Sequence, residues 1–109
     1  MRPRTGQLRH RLALEAPVRV EGEGGAASIA WSPVAQVWAA ILPLSGREVV
    51  AGDSVRGVVT HELTIRHRGD VRPAMRFVAG SGRVFEIRAV RDPDERRRWL
   101  VCHCEEQLP

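Results

Sequence analysis

Residues 58–68 read VVTHELTIRHR, and the alternation of side-chain type along them decides the fold class. Successive side chains of a β-strand point to opposite faces, so an alternating segment presents two different faces. One face carries Val59, His61, Leu63, Ile65 and His67, and the other carries Thr60, Glu62, Thr64, Arg66 and Arg68. The segment therefore predicts a half-buried β-strand.

Similar segments recur along the chain, separated by turn-forming residues. Residues 8–16 (LRHRLALEA) alternate, and residues 34–42 are apolar on both faces, which predicts a strand covered on both sides. Residues 76–90 give two strands around the turn Gly80–Gly82, and residues 99–106 give the last strand. We therefore expect a mainly β fold: a small antiparallel β-barrel of about six strands with one short inserted α-helix. The 109 residues fit a single domain (1–109), with an extended N-terminus at 1–7.

Residues 43–57, PLSGREVVAGDSVRG, interrupt the strands. Ser45 followed by Glu48 fits a capping box, which predicts a helix from about Gly46 to Ser54. Such a short helix is marginal in water, and Gly52 weakens it further. It must either plug the end of the barrel or become ordered on assembly. We interpret residues 45–57 as an inserted helix or loop and as the working part of the molecule.

The charge balance points to an anionic neighbour. The chain has 17 basic and 13 acidic residues, a net charge of +4, and every basic residue other than histidine is arginine. The planar fork of arginine suits phosphates and carboxylates, so nucleic acid and an acidic protein face both remain open as partners. No apolar run is long enough for a transmembrane helix and the start lacks a signal-peptide pattern, so no membrane association is expected.

The histidines and cysteines form no recognisable catalytic or metal-binding motif. They are His10, His61, His67, His103, Cys102 and Cys104. We expect the histidines to be ordinary strand residues and the cysteines to be reduced packing residues. No catalytic residue, metal site or cofactor is predicted. A ribonuclease built from His61, Glu62 and Arg66 stays as an alternative, because those residue types supply acid–base chemistry.

Two charged turns are further candidates for contacts with partners. The glycine-rich stretch 19–28 (RVEGEGGAAS) predicts a hairpin tip, and Arg19, Glu21 and Glu23 make it a possible second projecting loop. The stretch 91–98 (RDPDERRR) predicts a solvated tip or a docking tip for an acidic partner or a phosphate. Its candidate residues are Asp94, Arg96, Arg97 and Arg98.

The order of these segments resembles a known family. LRHRLALEAPV, a glycine-rich gap, Trp31, VWAAILPLSGRE, THELTIRHR, RPAMRFV and GRVFEIRAVRDPDERRRWLVCHCEE follow one another over residues 6–106. This is similar to the head-tail joining (head-closure or stopper) proteins of tailed bacteriophages, a family that includes gene transfer agent neck proteins. The stretch EGEGGAA departs from the pattern by lengthening the first gap, so that gap is a second candidate for the projecting element.

The resemblance implies a small β-barrel that assembles as a ring in the particle neck. Such a ring, of six or twelve copies, closes the DNA channel after packaging and joins head to tail. The implied partners are other copies, the portal or adaptor ring above, tail terminator or tail tube proteins below, and double-stranded DNA in the channel. The implied location is the neck of a virion or phage-like particle, with synthesis in the bacterial cytoplasm.

The connection that projects toward the channel in this family matches residues 45–57. Its candidate residues are Ser45, Arg47, Glu48, Asp53 and Arg56. Opposite charges on Arg47 and Glu48 suggest pairing between neighbouring copies. The alternative function is a small basic β-barrel that binds nucleic acid directly.

Overall fold

Six β-strands make up most of the computed structural model, which describes residues 7–49 and 58–108 and, for residues 45–49, the backbone alone. They are β1 (His10–Glu21), β2 (Ala27–Val49), β3 (Val58–Arg66), β4 (Arg76–Ala79), β5 (Val84–Arg91) and β6 (Trp99–Gln107). A 3-10 turn spans Glu23–Gly25, and Gln7 is also in 3-10 conformation. The predicted mainly β class is confirmed.

The six strands form one antiparallel sheet that closes on itself in the order β1-β2-β3-β6-β5-β4. Closure comes from β4, which pairs with β1 between Leu12↔Ala79 and Glu15↔Arg76. A closed sheet leaves no unpaired edge within the barrel, which removes the usual route to edge-to-edge aggregation. The predicted antiparallel arrangement of about six strands is therefore confirmed.

The barrel interior is filled by side chains from every strand. Phe77 and Phe85 are fully buried at its centre, and Leu14 and Leu63 pack around them. Both cysteines lie in this core, as the sequence predicts for packing residues. Phenylalanine burial dominates the energetics of a small core, since each ring removes a large apolar area from water.

The predicted inserted helix is wrong over its described part. Residues 46–49 belong to β2, where Glu48 pairs with Val59 and Val49 with Val58. Pairing with β3 gives these backbone groups hydrogen-bond partners that a short isolated helix lacks, so tertiary pairing outweighs the capping-box signal. The pairing is irregular between Pro43 and Glu48. The rest of the predicted helix, residues 50–54, lies outside the described residues.

The first hairpin extends beyond the barrel. Glu15 is the last β1 residue paired with β4, and from Pro17 to Glu21 strand β1 pairs with β2 alone. We call the ribbon formed by residues 16–21 and 27–32, with its turn, the arm. Its turn is the predicted glycine-rich hairpin tip, where Gly24 and Gly25 adopt positive φ angles of 72° and 80°. Positive φ is a conformation that glycine adopts without steric cost.

The connections between strands fall at two ends of the barrel. Because neighbouring strands are antiparallel, the β1–β2, β3–β4 and β5–β6 connections lie at one end. Strand β2 ends, and β3 begins, at the opposite end. The arm tip and the charged stretch 92–98 therefore share an end, whereas the connection after Val49 leaves from the other.

Candidate assembly surfaces

One face of the arm is free of charge and open to solvent. It continues the inward face of β1, on which Leu12 and Leu14 are buried. Paired residues of an antiparallel ribbon share a face, so the register assigns its members. They are Ala16, Val18, Val20, Ser28, Ala30 and Ser32, which we call the uncharged arm face. Val18 and Val20 remain 45% and 44% exposed there, because no third strand or loop covers them.

The opposite face of the arm is charged near the tip. It carries Arg19 and Glu21, two residues of the predicted second projecting loop, and their side chains form an exposed ion pair with Nε and Oε1 3.1 Å apart. Ile29 lies opposite Arg19 and is 64% exposed. The third predicted residue, Glu23, begins the 3-10 turn and forms no ion pair with any described residue.

Arg76 fastens the root of the arm to β4. Its Nε donates to Oε1 of Glu15 at 2.7 Å, and both side chains are about three-quarters buried. Its guanidinium carbon also lies 4.1 Å from the centroid of the Trp31 ring. A planar guanidinium can hold a carboxylate and stack on an aromatic face at the same time. The arm is thus anchored where it leaves the barrel.

The outer wall of β2 exposes two large apolar side chains. Trp38 is 54% and Leu42 is 56% exposed, while their neighbours Val37 and Ala39 point inward and are buried. The expectation that this strand is covered on both faces is therefore wrong for the single chain, because no other described segment packs over its outer face. An exposed pair of large apolar residues on one strand is a common feature of interaction surfaces.

Arginines flank this exposed tryptophan. Arg11 pairs directly opposite Trp38 across the β1–β2 ladder, and Arg66 lines the same groove as Trp38. We call Trp38, Leu42, Arg11 and Arg66 the Trp38 patch. Neither arginine forms an ion pair with a described residue, although Arg66 also lies 5.6 Å from the Trp99 ring. The patch is therefore apolar at its centre and positive beside Trp38, while Glu62 lies directly opposite Leu42 on β3.

The charged stretch between β5 and β6 is organised by its own aspartates. Oδ1 of Asp94 accepts from the Arg96 backbone N–H at 3.2 Å, and Oδ2 accepts from Arg98 Nη2 at 2.8 Å. Oδ2 of Asp92 accepts from the Arg97 backbone N–H at 2.9 Å. Of the predicted docking residues, Asp94 and Arg98 thus hold the turn. The side chains of Arg96 and Arg97 are exposed and form no ion pair within the described part of the chain.

The predicted channel residues divide between described and undescribed parts of the chain. Ser45, Arg47 and Glu48 belong to β2, at the end opposite the arm tip. Asp53 and Arg56 lie outside the described residues. Their role in a channel, and the pairing of Arg47 with Glu48 between copies, stay predictions.

The alternative ribonuclease residues do not converge. Strand alternation places His61 on the inner face, where its ring meets Phe85 edge-on with centroids 5.2 Å apart. Glu62 lies on the outer face beside His103, whose Nδ1 is 3.7 Å from its Oε1. Burial lowers the pKa of both His61 and His103. In the described ranges no group of three or more histidine, cysteine or acidic residues is arranged to hold a metal ion.

The two cysteines are buried and are poor nucleophiles. Cys102 and Cys104 are fully buried, and desolvation raises the pKa of the Cys102 thiol to about 12 and that of Cys104 well above its usual range. A thiol with such a pKa carries almost no thiolate at neutral pH and is a poor nucleophile. Both residues therefore act in packing.

None of the helices described is long and apolar enough to span a bilayer.

The geometry defines a class of protein: a small closed β-barrel whose apolar surface is left open on an arm and on one wall. The sequence matches the family described as phage head completion protein over residues 3–107, and the chain belongs to that family. This confirms the resemblance to phage head-tail joining proteins. A search of curated proteins found no match.

Several solved structures share the fold, and two of them are described here. One is a chain in the virion of a native gene transfer agent (GTA) particle, with 29% sequence identity, a TM-score of 0.68 and coverage of 99% of this chain and 100% of that chain. The other is the solution structure of protein SF1141 from Shigella flexneri 2a, with 24% identity, a TM-score of 0.70 and coverage of 95% and 96%. The second likeness, at that identity, concerns the fold alone.

Sequence reasoning missed the Trp38 patch and the uncharged arm face. The signal for the patch was present, because residues 34–42 are apolar on both faces. A strand whose outer face is covered by its own chain has the same apolar sequence pattern as a strand whose outer face is covered by another chain. The glycine-rich sequence of the tip suggested a flexible connection, so the uncharged arm face was not predicted. In the structure the strands are paired up to Glu21 and again from Ala27.

Proposed function

We propose that the protein is a structural neck component of a tailed phage or phage-like particle, in which six or twelve copies form a ring. The ring closes the DNA channel after packaging and joins the head to the tail. The observation that carries this proposal is the match to the phage head completion family over nearly the whole chain. The likeness to a chain of a gene transfer agent virion supports the same kind of particle.

The filled barrel supports a channel between copies rather than through one copy. Phe77 and Phe85 occupy the barrel centre with no exposed surface, so nothing as wide as a DNA duplex passes through it. A passage for DNA then requires several barrels around a common axis. Head-to-tail contacts that close by rotation produce such a ring.

The two ends of the barrel suit two different tasks. We propose that residues 45–57, with Ser45, Arg47, Glu48, Asp53 and Arg56, face the channel and narrow it. The other end carries the charged tip, with Arg96 and Arg97 free to meet an acidic partner. The proposed neighbours are the portal or adaptor ring above, tail terminator or tail tube proteins below, and packaged double-stranded DNA.

The proposed role needs no catalysis and no cofactor. Membership of the phage head completion family favours a protein that acts by binding other proteins. The proposed location is the particle neck, after synthesis in the bacterial cytoplasm.

The test is to make particles without this chain and with channel-segment variants. Particles that lack the chain should package DNA, then lose it and carry no tails. The variants R47E and E48R should each weaken DNA retention, and the double variant R47E/E48R should restore it if neighbouring copies pair these charges. Unchanged DNA retention and tail attachment in particles without the chain would contradict the proposal.

In the alternative function, the single barrel binds nucleic acid directly. The salt dependence of DNA binding distinguishes this alternative from the proposed neck function. A basic monomer that binds duplex DNA through several arginines loses affinity steeply as salt rises. We expect the isolated chain to bind duplex DNA weakly at physiological salt, because carboxylates pair with six of the thirteen arginines whose side chains the structure describes. Those pairs include Arg68–Asp70, Arg76–Glu15, Arg83–Glu106, Arg88–Glu105 and Arg98–Asp94. Tight, salt-dependent binding would favour the alternative.

A further inference from the structure

We propose that the uncharged arm face of one copy docks on the Trp38 patch of the next copy, and that this contact builds the ring. The inference rests on the proposed ring and names the surfaces that make it. Each surface is open in the single chain, and the two complement each other in chemistry.

The arm is not a stable structure by itself. A two-stranded ribbon without a third strand or a covering layer is marginal in water. The arm has such a ribbon beyond Glu15, and Val18 and Val20 on its uncharged face are nearly half exposed. Charged residues are confined to the other face and the tip. Ala16, at the root of the arm, packs against the barrel core, but the other five residues of the uncharged arm face are exposed and therefore available for another apolar surface.

The Trp38 patch is the matching apolar surface. Trp38 and Leu42 are both more than half exposed on the barrel wall. Large aromatic side chains with partly open faces are the residues that most often dominate protein interfaces. The patch lies on a rigid wall of the closed sheet, so it can receive the arm with little loss of conformational freedom.

The two surfaces cannot meet within one copy. Both lie on β2, where residue 28 of the arm face and residue 38 of the patch are separated by ten residues of extended strand, which spans about 30 Å. A contact between them must therefore join two copies. It uses a different surface on each copy, and repeated head-to-tail contacts of that kind close into a ring.

Charge at the arm tip agrees with this docking. Arg19 and Glu21 neutralise each other, which leaves Glu23 as the unpaired charge of the described tip. The rim of the patch is positive around Trp38, where Arg11 and Arg66 form no ion pair with described residues, and the acidic Glu62 lies at the other end, opposite Leu42. An acidic tip next to a basic rim gives the contact one orientation, because the reverse arrangement would place like charges together.

The experiment is cysteine cross-linking in assembled particles with a short bismaleimide reagent. In the double variant V20C/W38C, cross-links should join neighbouring copies and give a ladder of products up to the full ring. The control I29C/W38C has its arm cysteine on the opposite face and should give no ladder. The native Cys102 and Cys104 are fully buried and stay unmodified.

The single variants decide between modes of contact. V20C alone and W38C alone should give no cross-linked product, and a dimer from V20C alone would mean arm-to-arm contact and overturn the inference. Particles that contain the chain but show no ladder with V20C/W38C would also overturn it, while the proposed neck function would stand. Absence of the chain from purified particles would instead refute the proposed function.

A charge exchange supplies an independent test. E23R and R11E should each lower the amount of chain incorporated into particles, and the double variant E23R/R11E should recover it. The double variant keeps opposite charges on tip and rim, so recovery requires that the two meet. Additive losses in the double variant would contradict the proposed orientation.

Discussion

Replacing Arg76 by alanine is expected to destabilise the protein by loosening the arm root. Arg76 makes a 2.7 Å hydrogen-bonded ion pair with Glu15 and lies 4.1 Å from the centroid of Trp31. The ion pair is largely but not fully buried, so it contributes about 1 kcal/mol after screening by solvent. The contact of the guanidinium with the indole adds about 1 kcal/mol. R76A should therefore lower the free energy of unfolding by about 2 kcal/mol.

The measurement is urea unfolding followed by far-UV circular dichroism, because tryptophan fluorescence would respond directly to the lost contact with Trp31. A loss of about 2 kcal/mol lowers the melting temperature of a domain of this size by about 8 °C. The matched variant R76K keeps the charge but loses the planar fork, and it should recover less than half of the loss. The double-mutant cycle of R76A with E15Q isolates the ion pair. A loss below about 0.5 kcal/mol for R76A would show that Arg76 does not anchor the arm, since it would equal the effect of an ordinary surface substitution.

Three further outcomes are expected from the barrel itself. Burial lowers the folded-state pKa of His61 and His103 below the ordinary value of 6.5, so the unfolded chain binds more protons than the folded chain. The free energy of unfolding should therefore fall as the pH drops from 7.5 to 5.5. Substitution of both histidines by glutamine should make the free energy of unfolding less dependent on pH. F77A should cost about 4 kcal/mol in urea unfolding, while L108A, at a residue 85% exposed, should change stability by less than about 0.5 kcal/mol. Cys102 should resist a thiol reagent in the folded protein and react along the same urea curve as unfolding, and fast reaction in the absence of urea would contradict its burial.

The alternation of β3 was sufficient to predict its structure. Val59, Leu63 and Ile65 are fully buried, as the pattern requires. The period of two is set by the strand backbone and does not depend on distant partners. Where a segment has one clear apolar face, sequence and structure therefore agree.

The segment after Pro43 shows where local signals fail. Ser45 and Glu48 form a capping box in the sequence, yet residues 46–49 belong to β2, and Glu48 and Val49 pair with β3. A capping box contributes on the order of 1 kcal/mol, and a ladder of backbone hydrogen bonds with an adjacent strand outweighs it. Such pairing depends on residues about ten positions away, which no local pattern contains.

The candidate surfaces were predictable in part. Charge identified the arm tip and the stretch 92–98, but not the internal pairing of Arg19 with Glu21 or of Arg98 with Asp94. Those pairings remove charges that the sequence alone counts as free. The exposure of Trp38 follows from which strands neighbour β2 in the closed sheet, and that order is a property of the whole fold.

The most direct test of the account is an electron cryo-microscopy reconstruction of the neck of a particle that carries this chain. We expect a closed ring of these barrels between the portal or adaptor and the tail, with the arm of each copy on the wall of the next. We also expect residues 45–57 to narrow the bore. A neck without this chain, or barrels that do not touch one another, would contradict the account.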